Sequence, residues 1–299
     1  MNTKKSAWNK VQNAIGLSEA NAADLNDERF LYLKTRIAKL EKSFRFARIP
    51  ESDIGINEML KSVLPLMAPK DPVGMEFERV GRSYDGGYVM VKHDAKDRIA
   101  YSLGINRDVS WDLDIANRGY DIFQYDHTID KLPQDHIGFH WKKLGITAAN
   151  QRTKELSSLD EQMRQNGHED CTDMLLKLDI EGHEWSVFAE LPSETLSKFT
   201  QIAVECHGFD RIQKLPWFRT TKEALENLYK THQVVHIHGN NNSQLRVLGG
   251  FPMPKTFELT LLRRDICDFT ACSRVFPTEL DQPNNPNFAD HFLGNFNYF

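Results

Sequence analysis

Cysteine, long apolar runs, blocks of positive charge and the glycine-rich phosphate fingerprint are scarce or absent in this sequence, and each shortage removes a class of protein. The four cysteines, Cys171, Cys206, Cys267 and Cys272, are irregularly spaced. The last two form C-x4-C, but no second Cys or His pair lies close in sequence to complete a zinc site or a disulfide framework. Free thiols in a reducing cytoplasm are expected. Nothing approaches the roughly 18–20 apolar residues of a membrane span, and MNTKKSAWNKVQNAIG at the start has no apolar core or small-residue cleavage site. No membrane span and a cytoplasmic location are therefore expected. With 37 Lys and Arg against 42 Asp and Glu, the net charge is -5 and the lysines are scattered. That gives no general attraction to nucleic acid. The sequence shows no internal repeat.

What is present falls into three regions. Residues 1–70 are expected to be helical. From Leu25 to Phe46 turn residues almost vanish, and Phe30, Leu33, Ile37, Leu40 and Phe44 recur at alternating steps of three and four. This a/d spacing over barely three heptads reads first as a helix packed within its own chain, and second as a coiled-coil contact of a homo-oligomer. Pro50 and PKDP (69–72) lead into the main domain, 71–275. Residues 276–299, rich in Pro, Asn and aromatics, are expected to wrap over the surface as an extended tail.

The main domain alternates strands and helices. SYDGGYVMV (83–91) is a turn feeding a strand, and IAYSL is a strand that breaks at Gly104. Asp108 is placed to N-cap a helix reaching about Asn117, Gly119 suits its end, and DIFQY is the next strand, closed by Asp126. This compact strand-helix-strand unit implies parallel strands. Next come a helix over SSLDEQMRQNG (157–167), the buried strand MLLKLDI, the helix EWSVFAEL stopped by Pro192, and the strand QIAVECHGF. Thr220-x-x-Glu223 reads as a capping box for a helix to about His232, and QVVHIHGNN and TFELTLLRR read as two strands close enough to pair antiparallel. The alternation predicts an α/β fold with a doubly wound, mostly parallel sheet.

In such a sheet ligands sit at the carboxyl ends of the strands. The turn after the first parallel strand is Gly-Ile-Asn, without G-x-G-x-x-G, which disfavours a dinucleotide pyrophosphate. S-adenosylmethionine has a ribose and no phosphate, and Asp126, about 20 residues beyond the turn, is where an acid can accept from both ribose hydroxyls. MLLKLDIEGHEW (174–185) ends a buried strand in Asp179, Glu181, His183 and Glu184. On the next strand Glu205 and His207 share a face, as do His236 and His238 with Asn240 and Asn241 beyond. Asp179, Glu205 and His207 suit a divalent cation such as Mg²⁺ or Mn²⁺, or a histidine base. Their bland alternative is a helix-capping network of Glu181 and Glu184 with a structural histidine. His236 reads better as structural. Trp217 and Phe218, after Pro216, read as core aromatics or as a stacking wall for a sugar ring in a loop.

The runs SYDGGYVMV, YSLGINRDVSWDLDIANRGYDIFQYDHT, LLKLDIEGHEW, HIHGNN and FELTLLRR, in that order from about 76 to 265, resemble FkbM-like S-adenosylmethionine-dependent methyltransferases. The resemblance implies a Rossmann-type class I methyltransferase fold with an antiparallel last strand. It also implies a cofactor-binding set of Asp85, Tyr101, Ser102, Gly104, Ile105, Asn106, Asp126, His127 and Asp179. Asp179, Glu181 and Gly182 match the family's D-[IV]-E-G signature, while Asn106 stands where members often carry a second glycine. The catalytic candidates are Asp179, Glu181 and His207. The implied activity is O-methylation of a hydroxyl on a sugar or glycoconjugate, as in polysaccharide modification. Two readings compete with it: a metal-dependent glycosyltransferase using Asp179-x-Glu181, and a non-catalytic scaffold.

Overall fold

The computed structural model describes residues 54–298. The helix expected over 25–46, and any oligomer contact through it, lies outside the described residues.

Seven strands form the central sheet. In chain order they are β1 (Ile99–Leu103), β2 (Asp121–Tyr125), β3 (Phe139–Lys142), β4 (Met174–Leu178), β5 (Phe199–Cys206), β6 (His232–Gly239) and β7 (Phe257–Arg263). Their spatial order is β3-β2-β1-β4-β5-β7-β6. Neighbours from β3 through β5 pair in parallel, and β7 runs antiparallel between β5 and β6. The sheet is thus mostly parallel with its last strand reversed, and its order reverses between β1 and β4.

Both faces are covered because side chains alternate along each strand. On one face Leu103, Leu176 and Leu178 pack with helices α1 (Ile54–Met67), α3 (Leu159–Gln165), α4 (Glu184–Glu190) and α6 (Leu215–Thr231), through Leu60, Val63, Met163, Phe188 and Leu225. A four-residue helix, α5 (Ser193–Leu196), follows α4. On the other face Ala100, Ile122, Leu175 and Ala203 meet Trp111 and Ile115 of α2 (Ser110–Ala116) and Val80, Tyr88 and Met90 of an antiparallel hairpin, Phe77–Val80 with Tyr88–Val91. Each buried Leu, Ile, Val, Met or Phe among them contributes about 1.5–3 kcal/mol. That margin lets the rim of the sheet carry unfavourable charge.

Three local expectations change. β3 was not foreseen, because FHWK is an edge strand of alternating half-buried and exposed residues with no apolar run. Helix α6 begins at Leu215, with proline in its first turn. Thr220 is therefore inside the helix and donates to the Pro216 carbonyl oxygen at 3.2 Å instead of capping. A proline at the first turn sets the start, since its missing N–H is not needed there. Val109, not Asp108, holds the N-cap position of α2. Asp108 accepts instead from Ser110 N and Oγ at 3.0 and 2.9 Å.

After β7 the chain returns over the β6–β7 side of the sheet. Phe276, Leu293 and Phe296 are buried, Asp281 accepts from His236 at 2.8 Å, and Asp290 contacts His238 at 3.0 Å. His236 is thereby structural, with burial pushing its pKa down.

Candidate active site

Two cavities open at the carboxyl ends of β1 and β4, where the strand order reverses. The smaller, about 340 Å³, lies toward β2 and is lined by Asp126, His127, Thr128, Ile146, Thr147 and Ile180 among others. The larger, about 490 Å³, lies toward β5 and is walled by Asp85, Ile105, Lys177, Glu205, His207 and Asn240 among others. Gly104, Asn106, Asp179 and Glu181 line both.

The shared rim is tightly constrained. Gly104 has φ +82°, and a Cβ there would stand 1.6 Å from the Asp179 carbonyl oxygen. No side chain fits, so β1 and β4 come together only through a glycine. The Asp179 N–H donates to Leu103 O at 2.8 Å and Lys177 Nζ to Gly104 O at 2.9 Å, closing the same junction. Asn106 (φ 50°) and Glu181 (φ 56°) sit in the left-handed region that non-glycine residues seldom adopt. Strain of this kind gathers at ligand sites.

In the smaller cavity Asp126 is fully engaged. One oxygen accepts from Ile105 N (2.9 Å) and Asn106 N (2.8 Å), the other from Thr128 N (2.7 Å) and Oγ1 (2.6 Å). Burial would raise its pKa, but these donors outweigh it and hold the carboxyl below the usual range. Asp126 therefore ties the Gly104 turn to the end of β2. A ribose hydroxyl reaches it only by displacing the Thr128 hydroxyl.

The larger cavity is the reverse. Asp179 Oδ1 is buried with no hydrogen-bond partner. Burial first, then the nearby Glu184 and Glu181, push its pKa up to about 6 against the pull of Lys177 and His207. Glu205 is pushed well above the ordinary range by burial and by Asp179 and Glu258, although Asn240 donates to it at 2.5 Å. His207 lies just past β5, its Nε2 3.6 Å from Glu181 Oε2 and 3.9 Å from Glu205 Oε1. Glu184 stands behind the ring. It is fully buried, accepts from Ile180 N and Gly182 N, and meets His207 Nδ1 at 3.0 Å. Burial opposes charge on both partners, yet their mutual bond keeps Glu184 below and His207 above their ordinary values.

Of the residues expected from the sequence, Asp85, Gly104, Ile105, Asn106, Asp126, His127, Asp179, Glu181, Glu205 and His207 all line one or both cavities. Tyr101 and Ser102 line neither. Tyr101 is inside the core, its hydroxyl 2.8 Å from His168 Nδ1 and its ring stacked on Phe123 and Tyr125. Ser102, fully buried, faces the opposite layer. Both side chains enter the packed layers on the two faces of β1, short of the rim. Trp217 and Phe218 lie in the first turn of α6 against the core, with Arg211 over the Trp217 ring at 4.9 Å, and neither lines either cavity.

Lys177 escaped the sequence reading, and Glu184 entered it only as a helix-capping acid. Lys177 looks like a polar interruption in MLLKL, and Glu184 like an N-terminal helix acid. The signal available for Glu184 was an acid two residues after Gly182, where a folded-back loop presents its amides.

The family described as Methyltransferase FkbM domain matches residues 86–237. No curated protein matches the chain. Among solved structures, "Putative hemolysin from Streptococcus thermophilus" is similar at 10% identity over 63% of this chain and 62% of that one, with a TM-score of 0.29. The chain thus spans less than two thirds of that protein, and so distant a likeness carries no argument. Among the described residues no helix is long and apolar enough to cross a membrane.

Proposed function

The chain belongs to the methyltransferase FkbM family, and from that premise we propose that it is an S-adenosylmethionine-dependent O-methyltransferase acting in the cytoplasm on a hydroxyl of a sugar or glycoconjugate. The observation that carries this reading is the pair of cavities meeting at Gly104, Asn106, Asp179 and Glu181. One suits a nucleoside, and the other is polar enough for a hydroxyl-rich acceptor. The order β3-β2-β1-β4-β5-β7-β6 supports the Rossmann-type class I reading of the fold.

The residues present fit the cofactor. At Gly104 a Cβ would meet the Asp179 carbonyl, so the glycine lets β1 and β4 close on each other and sets the turn that both cavities share. Ile146, Leu156 and Ile180 give the smaller cavity apolar walls, with His127 and Thr147 as polar partners. S-adenosylmethionine supplies a methyl group on a positively charged sulfur, so the acceptor oxygen gains a bond to carbon as the carbon–sulfur bond breaks and its electron pair returns to sulfur. The chain must align the acceptor and take up the proton its hydroxyl loses. Asp126 holds the Ile105 and Asn106 amides in place on the cofactor side. On the acceptor side the proton leaves at the cluster of Asp179, Glu181 and His207. His207 Nε2 is the base there; a bound Mg²⁺ or Mn²⁺ would be held by Asp179, Glu205 and His207 and would lower the pKa of the acceptor hydroxyl.

The glycosyltransferase reading loses ground on geometry as well as on family. Its acid-x-acid pair does not converge, since Glu181 is 79% exposed while Asp179 groups with Glu205 and His207. The test is thermal shift with S-adenosylhomocysteine against UDP plus Mn²⁺. Each is compared with a control holding Mn²⁺ alone: S-adenosylhomocysteine should raise the midpoint further and UDP should not; a further rise only with UDP overturns the proposal, and no further rise with either favours the scaffold.

A further inference from the structure

The inner wall of the larger cavity brings three ligand-capable side chains together. Asp179, Glu205 and His207 each bring one ligand-capable atom to a point where all three lie within 4.8 Å of one another. Directly across the strand pair from Glu205 stands a second acid, Glu258, whose own oxygens are taken up by His238 at 2.9 Å and Asn284 at 2.5 Å. The nearest cation, Lys177, is bonded to the Gly104 carbonyl. Asp179 Oδ1 remains buried and without a partner. Buried acceptors are ordinarily satisfied, and an unmet one points to an absent donor, proton or ion.

The histidine is delivered in a specific way. Glu184 accepts two or more backbone N–H bonds from the loop that carries Asp179, and it also faces His207 Nδ1 at 3.0 Å. An ionised carboxylate only accepts, so Nδ1 carries the hydrogen and Nε2 is turned toward Glu205 and Glu181. A carboxylate behind the far nitrogen is the usual means of fixing the tautomer and aim of a metal-ligating imidazole.

We infer that Asp179, Glu205 and His207 form the seat of one divalent cation, with Glu184 as the residue that positions His207. Two carboxylates and one imidazole suit an oxygen-preferring cation of the Mn²⁺ or Mg²⁺ kind better than a thiophilic metal. Three protein ligands leave positions open toward the cavity, where an acceptor hydroxyl can enter and lose its proton more readily. That use of the cation rests on the methyltransferase reading; the seat itself rests on the geometry. His207 Nε2 then holds the cation, and the acceptor's proton leaves through the exposed Glu181 to water.

The test is calorimetric titration of Mn²⁺ into the EDTA-treated full chain, with electron spin-echo spectroscopy of the bound ion. Saturable 1:1 binding is expected, with nitrogen modulation that disappears in His207→Gln. Asp179→Asn, which breaks no hydrogen bond, should weaken binding at least tenfold, and Glu184→Gln should weaken it roughly 10–100-fold. Absence of 1:1 binding, unchanged affinity in Asp179→Asn, or bound Mn²⁺ lacking nitrogen coupling overturns the inference. S-adenosylhomocysteine is titrated separately. Mn²⁺ binding without it would keep the seat and remove the methyltransferase reading, and the converse would remove the seat alone.

Discussion

Asp126 and Asp179 both follow a parallel strand and both line the crevice where the strand order reverses. Asp126 accepts four hydrogen bonds and is held below the usual carboxylate range. Asp179 has an oxygen with no partner and is pushed up to about 6. Burial acts on both; at Asp126 the donors outweigh it, while at Asp179 no donor does and Glu184 and Glu181 add to it. The β2 side of the crevice is finished as a structure, and the β4–β5 side is left open to chemistry. Paired carboxylates driven apart in this way commonly mark separate roles, one holding and one reacting.

The strongest challenge to this contrast is Gly104→Ala, at the residue the two sides share. A forbidden φ and an impossible contact should cost roughly 2–5 kcal/mol, read as a collapse of the thermal midpoint. Wild-type stability in that variant would mean the junction is not closed as described. Next in size, Asp126→Ala strands the buried Ile105 N–H, worth about 1–3 kcal/mol, and releases three part-buried donors of Asn106 and Thr128. It should therefore lose stability in urea unfolding together with S-adenosylhomocysteine binding. Asp179→Asn should do the opposite: turnover falls about 100-fold or more, while the metal-free fold gains roughly 1–3 kcal/mol at pH 8.

That gain has a defined pH dependence. Asp179 binds its proton more tightly in the folded chain (about 6) than at the ordinary value of 3.8. Its contribution is therefore most favourable below 3.8, declines as pH rises, and is fully lost above about 6. The difference in midpoint between Asp179→Asn and wild type in EDTA should accordingly grow across that window. A flat difference would show that Asp179 is not perturbed. Asp126 has the reverse sign, its stabilisation being lost only as pH falls below the ordinary carboxylate value. The smallest effect is expected of Thr128→Val, which frees one position on Asp126. Stability should fall by about 1 kcal/mol and S-adenosylhomocysteine should bind no more weakly. A marked loss of binding would show that the hydroxyl itself contacts the ligand.

Much of the sheet could be read from residue patterns. IAYSL, DIFQY, MLLKL and QIAVEC are apolar runs ended by Gly, acid or His, and all four became central strands. β3 escaped because an edge strand buries too little to leave a pattern, and the start of α6 because Pro216 outranked a plausible capping box. Tyr101 and Ser102 sit inside a matching motif yet point into the packed layers, since motif membership does not say which way a strand side chain faces.

Sequence alone determined where the chain turns and which residues close each strand, because turn chemistry and apolar periodicity are local. It brought Asp126, Asp179, Glu205 and His207 onto the list through their positions at strand ends. Only the tertiary structure decided that Asp126 is saturated, that Asp179 is not, and that Glu184 aims His207. Those outcomes depend on which donors arrive from segments distant in the chain, and on how much water the packing leaves beside each charge.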